Sequence, residues 1–94
     1  MSEILVVQEG EAFSVTLTDG ASVTEHEVRI SPADLSLLGL QAFEPQALVE
    51  ESFRFLLERE PKESILERFD LNTITRYFPD YPDAMRARMK GDLD

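Results

Sequence analysis

Proline and polar punctuation are so dense between Glu58 and Tyr81, EREPKESILERFDLNTITRYFPDY, that no long element fits there. Proline lacks a backbone N–H and its ring clashes with the preceding turn, so Pro61 and Pro79 each end or open a helix. The apolar spacing between them predicts a run of short helices. One over 62–69 would present Ile65, Leu66 and Phe69. Asp70 then reads as an N-cap, flanked by Phe69 and Ile74 as a hydrophobic staple. A second helix over 71–78 would bury Leu71, Ile74 and Phe78, with Tyr77 at its margin. Beyond Pro79, Asp80-Tyr81-Pro82-Asp83 reads as a rigid turn. Asp83 reads as the cap of a last helix over 84–90 that carries Met85 and Met89 on one side.

The first thirty residues have a different period. AFSVTLT, residues 12–18, puts Phe13, Val15 and Leu17 on one face and Ser14, Thr16 and Thr18 on the other, as a half-buried strand requires. Residues 22–30 place His26, Val28 and Ile30 opposite Glu25, Glu27 and Arg29, and residues 3–8 add a third strand through the Glu9-Gly10 turn. Asp19-Gly20 signals a type I′ hairpin, which would pair Phe13 with His26 and Val15 with Thr24. A loop longer by two residues changes those partners and keeps both apolar faces aligned. Ile4 and Val6 then join the Phe13 face, while Leu5, Val7 and Val23 point the other way. A solvated face does not need such groups, so the expected cover is the carboxyl-terminal tail or a second subunit.

Between these regions, Ser31-Pro32-Ala33-Asp34 predicts a capped helix over 32–38 that stops at Gly39. Pro45 opens the longest predicted helix, 45–59, with Leu48, Val49, Ser52, Phe53, Leu56 and Leu57 along one stripe. Phe55 falls off that stripe, which predicts cover on more than one side. The expected fold is α+β. A three-stranded antiparallel meander is followed by four or five helices packed mainly on one face of the sheet, in a single domain.

The chain has 94 residues, 43% of them apolar, enough for one packed core despite a net charge of −10. It has no cysteine, hence no disulfide framework or thiolate metal site. The amino end lacks a basic region followed by an apolar run, so the cytoplasm is the expected compartment and no membrane span is expected. Acidic residues dominate the first sixty positions, where Arg29, Arg54 and Arg59 are the only cations. A field of that sign repels nucleic acid and anionic membranes and favours a basic partner.

The run Arg59-Glu60-Pro61, Glu63-Ser64-Ile65-Leu66, Phe69-Asp70-Leu71, Ile74, Tyr77-Phe78-Pro79 and Tyr81 resembles the carboxyl end of small uncharacterised bacterial proteins with a β-rich amino end. The resemblance spans about a quarter of the chain. It implies a bacterial origin and no particular activity, and each matched position also has a structural reading as a cap, a break or a core aromatic.

No catalytic, metal or cofactor motif stands out. His26 is the only histidine, lies on an inward strand face and reads as structural. One histidine without cysteine is a poor start for zinc, and the acids do not follow a calcium-loop pattern. Two sets of residues read as partner contacts: Arg76, Tyr77 and Tyr81, of types enriched at binding hot spots, and the outer-face group Leu5, Val7 and Val23. The leading reading is a non-catalytic protein-interaction or self-associating module that binds another protein, a basic one for preference, or itself as a homodimer. The second is a DNA-binding regulator using 62–78 as a helix-turn-helix, with Arg68, Arg76, Arg86, Arg88 and Lys90 as a thin basic face. The third is a small enzyme whose site would need a pocket with convergent polar groups.

Overall fold

Alternating side chains and two tight turns build the amino-terminal sheet. The computed structural model describes residues 2–91. Strands β1 (Ser2–Glu9), β2 (Ala12–Asp19) and β3 (Ser22–Arg29) form the antiparallel meander, with Glu9 opposite Ala12 and Asp19 opposite Ser22. Each turn therefore has two residues, Gly10-Glu11 and Gly20-Ala21. Gly10 and Gly20 adopt φ of 66° and 63°, and among the described residues no non-glycine has positive φ. Positive φ at the first central residue alone is the pattern of a type II′ turn. The expected type I′ turn at Asp19-Gly20 would have forced Asp19 into the left-handed region. Moving the turn on by one residue leaves the positive φ to glycine, at little steric cost. Phe13 accordingly pairs with Val28 and Val15 with His26, two positions from the first expected register. A shift of two keeps every side chain on its expected face.

The sheet then gains a strand absent from the expected meander. Short strand β4 (Arg68–Asp70) adds to β3 in parallel, giving a four-stranded mixed sheet in the order β1-β2-β3-β4. Parallel pairing needs a long crossover, and helices α1 (Pro32–Leu38) and α2 (Pro45–Arg59) supply it. Both match their expected limits. Ser31 Oγ accepts from the Asp34 N–H at 3.1 Å, and Gly39 ends α1 at φ 72°.

The helix expected over 62–69 does not form. Lys62–Ser64 makes a single 3-10 turn, after which Ile65 is already extended. The free edge of β3 offers hydrogen bonds that an isolated short helix cannot match: Glu27 N–H donates to Glu67 O at 2.7 Å and Leu71 N–H to Arg29 O at 2.9 Å. Asp70 therefore lies in a strand, and the Phe69–Ile74 staple does not exist. The second predicted helix shrinks to α3 (Thr73–Tyr77), whose N-cap is Asn72 without a side-chain bond. Phe78 leaves the helical region because the residue before proline is pushed toward extended conformations. The last helix, α4 (Tyr81–Gly91), begins three residues earlier than expected. Pro82 sits in its first turn, where no donor is needed, and Asp83 lies within that turn instead of capping it.

The core lies between the inner sheet face and α2, extending to α3 and α4. Phe53 of α2 faces the sheet side, 5.6 Å from the His26 ring and 6.0 Å from Phe69. Phe55 faces the other way and meets Phe78 and Tyr81 edge-on at 5.8 and 5.4 Å. Both are fully buried, so α2 is covered on two sides, as the off-stripe Phe55 implied. The tail through α4 packs on α2 and not on the outer sheet face. Leu5, Val7 and Val23 stay 61%, 47% and 56% exposed.

Gly20 has open space around its α-carbon, so a methyl group there meets nothing and only the backbone opposes it. Gly20→Ala is expected to cost about 1–2 kcal/mol. The check is a lower urea midpoint at an unchanged denaturant slope.

Candidate functional site

The expected Arg76–Tyr77–Tyr81 contact is divided by the fold. Tyr77 ends α3 and is 64% exposed, and Arg76 is also exposed. Tyr81 is completely buried and belongs to the core, so no partner reaches it. Its hydroxyl lies 2.6 Å from Ser52 Oγ, which also donates to the Leu48 carbonyl at 2.6 Å. Burial pushes the Tyr81 phenol well above its usual range, with the Ser52 bond partly opposing the shift. A hydroxyl held neutral and enclosed in this way is a packing element that satisfies a mid-helix serine.

Tyr77 instead borders a small apolar groove where α2, β4 and α3 converge. Leu56, Ile65, Phe69, Ile74 and Phe78 form its walls, with Leu66 at 45% exposure on the rim. Its volume of about 130 Å³ suits one apolar side chain, being close to that of cavities that admit benzene. Glu60, Ser64 and Thr73 also line it. Sequence reasoning named Tyr77 and missed Leu66, because a helical reading of 62–69 places Leu66 on a buried stripe.

His26 is structural. It is buried at the centre of β3, with Nδ1 2.7 Å from the Leu66 carbonyl and Nε2 2.9 Å from Thr24 Oγ1. A carbonyl only accepts, so Nδ1 carries a proton and donates to it. That bond ties the approach to β4 onto β3.

On the outer sheet face the register sets Leu5 beside Thr16 and Glu25, and Val7 beside Ser14, Glu27 and Arg68. Val23 shares a row with Thr18 and Glu3. Leu5 and Val7 thus form a pair on edge strand β1. Polar side chains of β2 separate them from Val23, so the three do not make one patch.

Two of the five cations of the expected basic face, Arg86 and Arg88, are engaged inside the fold, while Arg68, Arg76 and Lys90 are exposed. Arg86 donates to the Leu38 carbonyl at 2.8 Å, helping to close the end of α1, and pairs with Asp83. Arg88 bridges α4 to α2, donating to Glu51 at 2.9 Å and to Glu58. Arg59 reaches Asp80 at 2.8 Å and lies 3.8 Å over the Phe55 ring, and buried Lys62 pairs with Glu63 at 2.8 Å. Acids face solvent more freely. Glu9, Glu11, Glu27, Asp34 and Asp70 ring a basin that contains Arg29. Among the described residues, no three His, Cys, Asp or Glu side chains gather as a metal-ligand set, and no helix is long and apolar enough to cross a membrane. Comparison with family models, curated proteins and solved structures finds no match.

The two tyrosines are expected to separate in a stability test. Tyr81→Phe should cost about 1 kcal/mol by removing a buried hydrogen bond. Tyr77→Ala should stay within about 0.5 kcal/mol, as exposed positions do. Thermal or urea unfolding checks both.

The Arg88 hydrogen bond holds the Glu58 carboxyl below its ordinary value of 4.5, with burial opposing it and the charges of Arg88 and Arg59 adding to it. A carboxyl lowered on folding stabilises fully above its unfolded value and loses that effect as pH falls through the folded one. The pair is largely solvent-exposed, so Glu58→Gln should cost at most about 1 kcal/mol at pH 7. The wild-type and variant urea midpoints should converge as pH falls below 4.5 and through the folded-state value.

Proposed function

We propose that the protein is a non-catalytic interaction module whose acidic surface receives a basic protein partner. One observation carries this reading. Among the described residues, Arg54, Arg59, Lys62, Arg86 and Arg88, five of nine cationic side chains, are paired with carboxylates of the same fold. The acids of the sheet and its turns, including Glu3, Glu9, Glu11 and Glu25, are exposed. The strands and their turns carry seven acids, Glu3, Glu9, Glu11, Asp19, Glu25, Glu27 and Asp70, against Arg29 and Arg68, so half of the net charge of −10 lies on the sheet. Such a field accelerates encounter with a basic surface and disfavours an acidic one. The groups best suited to chemistry, His26, Ser52 and Tyr81, are buried in structural hydrogen bonds, which also favours a binding role.

A DNA-binding reading has less support. Residues 62–78 form a 3-10 turn, a strand and a five-residue helix, so no second helix of useful length is presented to a groove. Arg86 and Arg88 are engaged with acids.

The expected result is binding to lysine-rich peptides, weakening steeply between low and high salt, with no binding to glutamate-rich peptides of matched length or to duplex DNA. Fluorescence anisotropy measures all three. Equal affinity for the acidic and basic sets would sink the reading.

A further inference from the structure

The β1 edge of the sheet has a hydrogen-bonding face and a charge pattern that together describe a ligand. The two-residue turn makes Glu9 and Ala12 a hydrogen-bonded pair. By alternation, Glu3, Leu5 and Val7 turn their amides toward β2, and Ile4, Val6 and Gln8 turn theirs outward. The structure bears this out at Val6, whose carbonyl accepts from Gln46 Nε2 of α2 at 3.2 Å. A side-chain amide thus occupies one acceptor position that a neighbouring strand would use. β1 is also eight residues long and carries exposed Leu5 and Val7 at the edge of the outer face. Proteins usually blunt an edge of this kind with a lysine, a proline or a bulge.

The side chains around the edge are apolar or acidic. Ile4, Leu5, Val6, Gln46 and Ala47 line a groove between β1 and the first turns of α2, together with Glu44 and Glu50. Arg54 lies 3.5 Å from Glu50 but is shared with Glu51, and among the described residues no cation pairs with Glu44. On the outer side, Glu3 and Glu9 flank the Leu5–Val7 pair along the strand.

We propose that β1 accepts an extended, basic segment of a partner protein as an added strand, displacing the Gln46 amide from Val6. Residues of the incoming strand alternate between the two faces. Those on the α2 side meet Glu44 and Glu50 and are lysine or arginine. Those on the outer side lie beside Leu5 and Val7 and are β-branched or otherwise apolar. The recognised sequence is therefore an alternation of basic and apolar residues. A second copy of this chain fits poorly. Antiparallel pairing centred on Val6 would set Leu5 against the second copy's Val7, but it would also oppose Glu3 to Glu9 at both ends. It would bring two sets of Glu44 and Glu50 to one seam as well.

This inference rests on the basic-partner reading and is tested so that the two can fail separately. The probe is a blocked peptide of alternating lysine and valine, titrated into isotopically labelled full-length protein. The control is a peptide of the same composition with its lysines in one block. The expected result is preferential binding of the alternating peptide, with the Ile4, Val6 and Gln8 amides shifted and protected from exchange. Gln8→Pro removes an outward N–H at an edge position where proline is tolerated, and the Glu44→Lys/Glu50→Lys double variant reverses the groove charge. Each should weaken binding by about tenfold or more, while circular dichroism confirms that the fold is kept. Undiminished binding in both variants, with shifts at the Arg29 basin or the Tyr77 groove, overturns the edge site and leaves the broader reading standing. A peptide-free dimer that Gln8→Pro dissociates makes a second copy the occupant and overturns the proposal. Failure of both peptides to bind removes this inference and the basic-partner reading together.

Discussion

The two-sided burial of α2 is the constraint on which the rest of the structure depends. Phe53 and Phe55 are two residues apart, so on a helix they point in widely different directions, and both are completely buried. One layer cannot cover both. The sheet takes Phe53 through His26 and Phe69, and the α3–α4 pair takes Phe55 through Phe78 and Tyr81. Each buried aromatic is worth on the order of 2–3 kcal/mol, a large share of the margin that a domain of this size has. Ser52, between them, is accommodated by donating to Leu48 and bonding Tyr81. The ion pairs of Arg59 and Arg88 then set α4 against the solvent side of the same helix.

Covering α2 on both sides also determines what the surface retains. The carboxyl-terminal helices are committed to α2, so the outer face of the sheet receives none of them. Leu5 and Val7 remain open on β1 while the other edge of the meander is closed by β4. Holding α4 in place takes up Arg86 and Arg88, two of the five cations that the sequence offers to nucleic acid. An excess of negative charge on the sheet side and an open strand edge are thus both consequences of how the helical layer is built.

Much of this was legible from local pattern. The strand faces, the limits of α1 and α2, the Ser31 cap, the Gly39 stop and the outward placement of Leu5, Val7 and Val23 all follow from periodicity and capping chemistry. The failures fall where a local reading had a close competitor. Ile65, Leu66 and Phe69 fit a helical stripe, yet Arg68-Phe69-Asp70-Leu71 also alternates as a strand does. The helical reading rests on that spacing together with the Pro61 and Pro79 breaks and the Asp70 cap, and the staple, the position of Leu66 and the helix-turn-helix depend on it. Tyr81 looked like a surface hot spot because its type is common in both cores and interfaces.

The amino-acid sequence by itself determined which residues could share a face, where helices could begin and end, and the sign of the molecular field, because each depends on neighbours along the chain. Tertiary structure decided that residues 68–70 pair with β3, since a strand of three residues has no stability apart from the edge that receives it. It also decided which of two nearby tyrosines is buried and which arginines are occupied. The partners in question, Ser52 with Tyr81, His26 with Leu66 and Glu51 with Arg88, lie far apart in sequence and meet only once the sheet and helices have packed.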